Sequence, residues 1–394
     1  MNAPPPQLWL NALLAAIDHA QRGLLRLWHA LGLTGDSHGQ PAWPWARRVV
    51  GETLLIDLGL ARQLLWCLAA IVVAVLAVGL SLAWKRRRLP VLAIGALALV
   101  IAPWPSASLV LGPAVPTSFH TSPTNFDVGT IARGEQVYAA HCAACHGADG
   151  RGEGPLAQTL TRWPPTIVSP LLGRRADGEM FWHVLDGMRD ARGAITMPAF
   201  AGELDDRDTW AVLDYMRVLS ARTGAIVFGS WPVPLRLPEL TVQCGEDPPR
   251  SLAAWRGAQR VRVVLADGLA DGRRDTLPLE DPRFQTLVVT RDARPLRDVP
   301  QFRAACTAVS PAAWDVFAQI AGIEGKRRIE RIEGMTLLSD RDGWLRARAA
   351  AGEDAALLCK AGDGGGTGVR QDLTALVLEM DAEPVRFVKG GFVH

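Results

Sequence analysis

Five residues near the middle of the chain, Cys142-Ala143-Ala144-Cys145-His146, constrain their surroundings more than any other stretch. Two thiols three residues apart share one side of a helical turn, and an imidazole follows at once. That set serves covalent attachment of haem c. Each thiol adds across one porphyrin vinyl group to form a thioether, and the histidine takes one axial position on iron. A redox dithiol or a zinc site would use the two cysteines but has no need of a histidine at that place. One such motif implies one covalent haem.

The flanks of the motif resemble a class I cytochrome c over residues 127–222. Gly134 and Tyr138 stand eight and four residues before Cys142, where that family carries the Gly and aromatic of an N-terminal helix crossing a C-terminal one. The partner helix is expected at Asp206 to Leu219, with Asp205 as N-cap and Trp210, Val212, Leu213, Tyr215, Met216 and Leu219 as its buried stripe. The resemblance places the sixth iron ligand at Met197, in Met197-Pro198-Ala199-Phe200. A soft thioether opposite the imidazole favours Fe(II) and leaves no open position for oxygen or peroxide. Met180, Met188 and His183 compete for that role, but they are assigned to a short amphipathic helix, Gly178 to Gly187, where packing accounts for them. In Trp163-Pro164-Pro165 the resemblance implies a Pro carbonyl accepting the Nδ1–H of His146, which fixes the ring. A rigid turn explains the same residues, and Arg162 and Trp163 are also suited to donate to haem propionates. His141 is read as facing solvent.

Hydrophobic residues make up 49% of the 394, and the excess is local. Gln63 to Trp84 runs 22 residues without a charge and Leu89 to Gly112 runs 24 more, each long enough for a hydrocarbon core about 30 Å thick. Two membrane spans are expected over 61–112, the second kinked or ended early by Pro103 and Pro105, joined by Lys85-Arg86-Arg87-Arg88, a turn of the kind retained in the cytoplasm. Haem c is attached on the outer face of the cytoplasmic membrane, so the motif belongs in the periplasm, and a cytoplasmic turn at 85–88 agrees. No secretory signal peptide is expected, because the first long apolar run starts some sixty residues in. In the N-terminal segment 1–60, Asp18, Arg22, Arg26 and His29 lie along one face of a helix over 8–33. This helix is expected on the bilayer surface, with docking on a neighbour as the alternative. Residues 113–126 form a linker. Its Pro113-to-Pro123 sequence resembles the junction in bacterial fusions of a copper-resistance D-type membrane domain to cytochrome c; copper transport is not implied, since only two spans are evident.

Over 237–394 short strands alternate with helices. Strands are expected at Leu240 to Cys244, Val261 to Ala266, Thr286 to Thr290 and Met335 to Ser339, a helix at Pro311 to Gly322, and a hairpin turning at Asp342-Gly343. Ser251 to Gly257 with the following strand, and the hairpin to Arg348, resemble a thioredoxin-like fold. At the loop after Ala266, where that family carries CxxC, the sequence reads Asp267 to Asp275 without cysteine. Cys244, Cys306 and Cys359 are left as a possible pair plus one, or as core residues.

The fold class is thus multidomain: two transmembrane α-helices, an all-α class I cytochrome c domain and an α/β thioredoxin-like C-terminal domain lacking redox cysteines. Residues 127–221 hold nine Arg and no Lys against thirteen Asp and Glu, a net −4 that suits steering of a basic redox partner. No basic stripe or motif points to nucleic acid. These features together describe a membrane-anchored, periplasmic, monohaem electron carrier, not itself an enzyme, serving partners such as a terminal oxidase or dehydrogenase in a respiratory chain. Two other functions stay open: an accessory or assembly protein whose thioredoxin-like module binds a client, and a haem sensor or enzyme with a labile sixth ligand.

Overall fold

The computed structural model describes residues 6–50, 58–168, 172, 175–266, 281–295, 305–323, 332–350, 359–360, 369–370 and 373–385. The chain divides into two compact units that meet in sequence at His120 and Thr121.

In the first unit, helix α1 (Pro6–Ala30) buries Leu10, Leu13 and Leu14 against Leu60, Ala61 and Val110. Further along, Leu25 packs with Trp43 and Phe119. Trp28, Trp43 and Trp45 interlock edge to face, with ring centroids 5.0 and 4.6 Å apart. Arg22 joins the set, donating to the Phe119 carbonyl at 2.8 Å while its Nε pairs with Asp18 at 2.8 Å. One face of α1 is therefore packed against the chain's own residues, a contact that neither the bilayer-surface reading nor docking on a neighbouring subunit describes, while Leu24, Leu27 and Leu31 remain at the surface. Residues 113–120, expected as linker, belong to this packing: Thr117, Ser118, Phe119 and His120 are buried.

Helices α2 (Leu58–Ala83) and α3 (Arg88–Ile101) pair as a hairpin. Their seam is small: a Cβ added at Gly95 would lie 2.9 Å from the Ala77 Cβ and 3.1 Å from the Ala74 Cα. Close approach of this kind suits helices that meet without a hydrophobic drive between them. Gly59–Ala83 is long and apolar enough to cross a bilayer, with 17% of its apolar window buried. The second run ends early, at its prolines. Leu89 to Gly112 is not one helix; α3 ends at Ile101, ahead of Pro103 and Pro105, because the proline ring removes a donor and crowds the preceding turn. Its 14 residues rise about 21 Å, short of a full crossing. Strand β1 (Arg47–Val49) then pairs antiparallel with β2 (Leu111–Pro113). This ties the chain entering the hairpin to the chain leaving it, so the 85–88 turn lies at the opposite end.

The second unit begins with α4 (Val128–His141), capped by Asp127, whose carboxylate accepts the Thr130 N–H at 2.9 Å. It crosses α7 (Asp206–Phe228) at Gly134, where a Cβ would fall 2.0 Å from the Ala211 carbonyl oxygen; only glycine permits that approach. Between them lie α5 (Ala143–His146), α6 (Asp177–Asp186) and a two-stranded ribbon, β3 (Met188–Arg189) with β4 (Ile195–Met197). Helix α7 starts as expected, at an Asp205 N-cap, but runs nine residues past Leu219 to Gly229, which closes it at φ +67°. No proline interrupts 220–228, and the face carrying Ala221 and Ala225 is buried, so packing sustains the helix beyond the cytochrome-like pattern.

A seven-stranded sheet follows. It comprises β5 (Thr241–Gln243), β6 (Arg250–Ser251), β7 (Arg260–Leu265), β8 (Phe284–Val289), β9 (Cys306–Ala308), β10 (Met335–Ser339) and β11 (Leu345–Ala349), in the spatial order β11-β10-β7-β8-β9-β5-β6. The three central strands β7, β8 and β9 are parallel; β10 runs antiparallel to β7, with Val263 opposite both Leu287 and Leu337. A strand buried on both faces needs helices on both. The short helix α8 (Leu252–Arg256) and helix α9 (Ala313–Ile320) lie in the main core, and α10 (Leu373–Ala382) packs Leu373, Leu376, Val377 and Met380 on Phe284, Leu338, Ala347 and Ala349. The β10–β11 turn forms at Asp340–Gly343, where the Asp340 carboxylate accepts the N–H groups of Asp342 and Trp344. Cys244 and Cys306, left open by the sequence, are joined by a disulfide between β5 and β9. The loop Asp267 to Asp275 lies outside the described residues.

The cytochrome-like helices and the sheet share one core. A single cluster of buried apolar side chains runs from Val128 and Tyr138 through Val218 and Ala225 to Phe317, Leu337 and Leu345. The connection between them is also fixed. Residues 229–237 run beside β11, with Leu345 N–H donating to Leu235, Leu237 N–H to Gly343 and Arg348 N–H to Gly229, at 2.8 to 2.9 Å.

Candidate functional site

The motif occupies the bend between α4 and α5. Cys145 and His146 N–H groups both return to the Cys142 carbonyl, at 3.1 and 2.9 Å, so the two thiols and the ring rise from a single turn. Tyr138, one turn earlier, donates its hydroxyl to the Gly147 carbonyl at 2.8 Å. This contact anchors the turn to α4, and spacing alone gave no sign of it. A run of glycines brings the following loop close: a Cβ at Gly154 would sit 2.4 Å from the Ala144 carbonyl oxygen, and one at Gly152 2.4 Å from that of Pro164.

His146 Nδ1 lies 3.3 Å from the Pro165 carbonyl oxygen. That contact sets Nδ1 as the donor and frees Nε2 as a ligand. Desolvation lowers the His146 pKa, partly offset by the Pro165 bond, which favours the neutral ring that iron requires. Desolvation, with Cys145 adding to it, pushes the Cys142 thiol up to about 12. Trp163 is 54% exposed, on the loop that carries Pro165, and among the described residues no hydrogen bond fixes its indole in a role.

Met197 ends β4, half-buried and packed against the core. Its strand is held at two points. Phe200 N–H donates to the carbonyls of Val184 and Leu185, each at 3.1 Å, at the end of α6. At Gly187 (φ +72°) a Cβ would lie 2.6 Å from the Met197 oxygen and 2.8 Å from the Ala199 nitrogen. Of the competing residues, Met180 packs against the core and His183 lies within α6. Met188 does not belong to the helix assigned to it: α6 ends at Asp186, and Met188 pairs with Met197 across the ribbon. His141, expected to face solvent, is partly exposed and meets the Glu203 carboxylate at 2.9 Å.

The donor set tests what the site can hold. Among the described residues no three His, Cys, Asp or Glu side chains converge as metal ligands, so the Cys pair lacks the further donors of a zinc site. Two free thiols, a neutral imidazole with an oriented ring and a half-buried thioether fit haem c. Apolar side chains stand at the surface on the adjoining segments, Leu156, Leu160 and Trp163 on one and Ile195 on the other, and suit contact with a flat apolar ring.

A family model described as cytochrome c oxidase, cbb3-type, subunit III matches residues 129–216. These residues form a c-type cytochrome domain. For these residues the family implies covalently bound haem c and a redox role. Among solved structures, one chain of the Kuenenia stuttgartiensis reducing HAO-like protein complex Kustc0457/Kustc0458 is 22% identical, with a TM-score of 0.23, over 32% of this chain and 59% of that one. The match therefore spans less than two thirds of that chain. No curated protein matches.

One polar group within the cytochrome domain escaped the sequence reading. Asp214, fully buried on α7, accepts from Thr124 at 2.5 Å and pairs with Arg217 at 2.8 Å; Arg217 also reaches Asp177 at 2.9 Å. Desolvation raises the Asp214 pKa to about 6 against the opposing pull of Arg217 and Thr124. The cluster joins the segment before α4 to the start of α6 and the middle of α7.

Proposed function

We propose that the chain is a membrane-anchored periplasmic monohaem cytochrome c that passes single electrons within a respiratory chain, as a subunit or tether of a larger redox complex. The observation that carries this reading is the motif turn, with both thiols beside an imidazole oriented by Pro165. Bound there, haem c supplies a one-electron Fe(III)/Fe(II) couple. Cys142 and Cys145 would hold the ring covalently, His146 and Met197 would take the axial positions, and Trp163 with Pro165 would line the pocket. The protein's task is then to keep both axial donors in place in either oxidation state, so that little rearranges as an electron crosses.

Anchoring rests on the α2–α3 hairpin. Trp66 and Trp84 are both exposed and lie eighteen residues apart, about 27 Å along a helix, which matches two interfacial aromatic belts. The β1–β2 pair supports placing residues before 58 and after 112 on one side, the periplasm, with 85–88 in the cytoplasm. The strand order β11-β10-β7-β8 with α9 and α10 supports a thioredoxin-like module over 237–394, and its disulfide suits an oxidising compartment. Domain limits of 1–60, 61–112, 113–126, 127–222 and 237–394 remain part of this proposal, as do a terminal oxidase or dehydrogenase as partner.

The test is spectroscopic. The full chain, purified from membranes, is expected to keep its haem through acid–acetone extraction, to show the weak long-wavelength sulfur-to-iron band of ferric His/Met haem, and to ignore carbon monoxide when reduced. Haem lost on extraction would overturn the covalent reading. Ready carbon monoxide binding would replace the carrier with a sensor or enzyme.

A further inference from the structure

The strand pairing that removes Met188 from helix α6 makes it the partner of Met197, at the point where the ribbon's register shifts. In a regular antiparallel pair such partners have Cβ atoms about 4.5–5.5 Å apart, and the shift after Met188 leaves the Met188–Met197 pairing itself in place. A methionine carries its soft sulfur on three rotatable bonds. Two such side chains on paired residues can reach a common point by rotation about their own bonds. The backbone beneath the pair is pinned by the Gly187 contact with the Met197 oxygen and by the Phe200 and Ala201 N–H bonds to the end of α6. The two sulfurs are not equivalent. Met197 is packed against the core, whereas Met188 is 37% exposed at the rim.

We propose that Met188 is a second thioether ligand of the haem site, held beside Met197 so that it takes the same axial position when the Met197 sulfur is withdrawn. The ordering follows from burial: the packed sulfur is the resting ligand and the exposed one the reserve. Such a pair keeps the iron closed to small ligands through the loss of one donor. The inference rests on the haem c reading above.

The full-length haem-loaded protein is compared as wild type, Met188→Leu, Met197→Ala and the double variant, with Met197→Leu as a volume-conserving control and far-ultraviolet circular dichroism to verify folding. The ferric sulfur-to-iron band and carbon monoxide uptake by the ferrous form are read in each. Expected are a wild-type spectrum in Met188→Leu, retention of the band in Met197→Ala and Met197→Leu, and loss of the band with carbon monoxide uptake only in the double variant. If either Met197 variant alone loses the band and takes up carbon monoxide as the double variant does, the reserve role is overturned. A wild type lacking the band and binding carbon monoxide overturns thioether ligation itself, a separate failure from the first.

Discussion

Asp214 shows what a buried charge does to a small helical domain. Its carboxyl faces Thr124, Arg217, Asp177 and Asp127, and desolvation still leaves its pKa near 6, above the ordinary 3.8. Between those values the folded chain holds a proton that the unfolded chain has released, so stability falls as pH rises through this window. The full effect is of the order of 3 kcal/mol. Asp214→Asn removes the titration while keeping a partner for Thr124. The melting temperature of the variant relative to wild type should therefore climb between about pH 4 and pH 6; a difference independent of pH would remove Asp214 as the source. Nothing in the sequence marked this residue, because its neighbours at 124 and 177 come together only in the fold. The Cys142–His146 turn was legible for the opposite reason: its chemistry is complete within one helical turn. Met188 shows the intermediate case, since its nearness to Met197 depends on a hairpin register that spacing alone does not fix.

At the scale of elements, periodicity located most of the helices and strands, and the departures have local causes. Pro103 and Pro105 cut the second apolar run to a 14-residue helix, while α7 outlasts its expected end because Ala221 and Ala225 find a packing partner. The α6–β3 junction has the sharper functional consequence. Gly187 adopts φ +72° and touches the backbone of the Met197 strand, so a side chain there meets both conformational strain and overlap. Gly187→Ala is expected to cost about 1–3 kcal/mol and to push β4 away from α6. In the haem-loaded protein the sulfur-to-iron band should shift in position or intensity as the Met197 sulfur is displaced, with carbon monoxide still excluded by Met188. An unchanged spectrum in a destabilised variant would confine Gly187 to a structural role.

At the scale of the molecule, the sequence suggested a haem domain and a separate α/β module, each with its own pattern. What it could not convey is that apolar residues assigned to the two modules belong to one core. Helix α7 is the physical link. Its first half carries Trp210 and Tyr215 of the haem domain, and its second half buries Ala225, with Gly322, just past α9, lying against Ile226. The edge strand β11 is covered by residues 229–237 instead of being left open to pairing with other chains. A shared core implies shared unfolding. Phe317, fully buried on α9, provides the test: Phe317→Ala should cost about 3–5 kcal/mol. Because the core is continuous and α9 packs on both α4 and α7, native-state hydrogen exchange of the full chain should lose protection to the same extent in β7 and throughout α4 and α7. Loss confined to the sheet, with α4 and α7 still protected, would mean that the haem domain stands on its own core and that the contact through α7 is incidental.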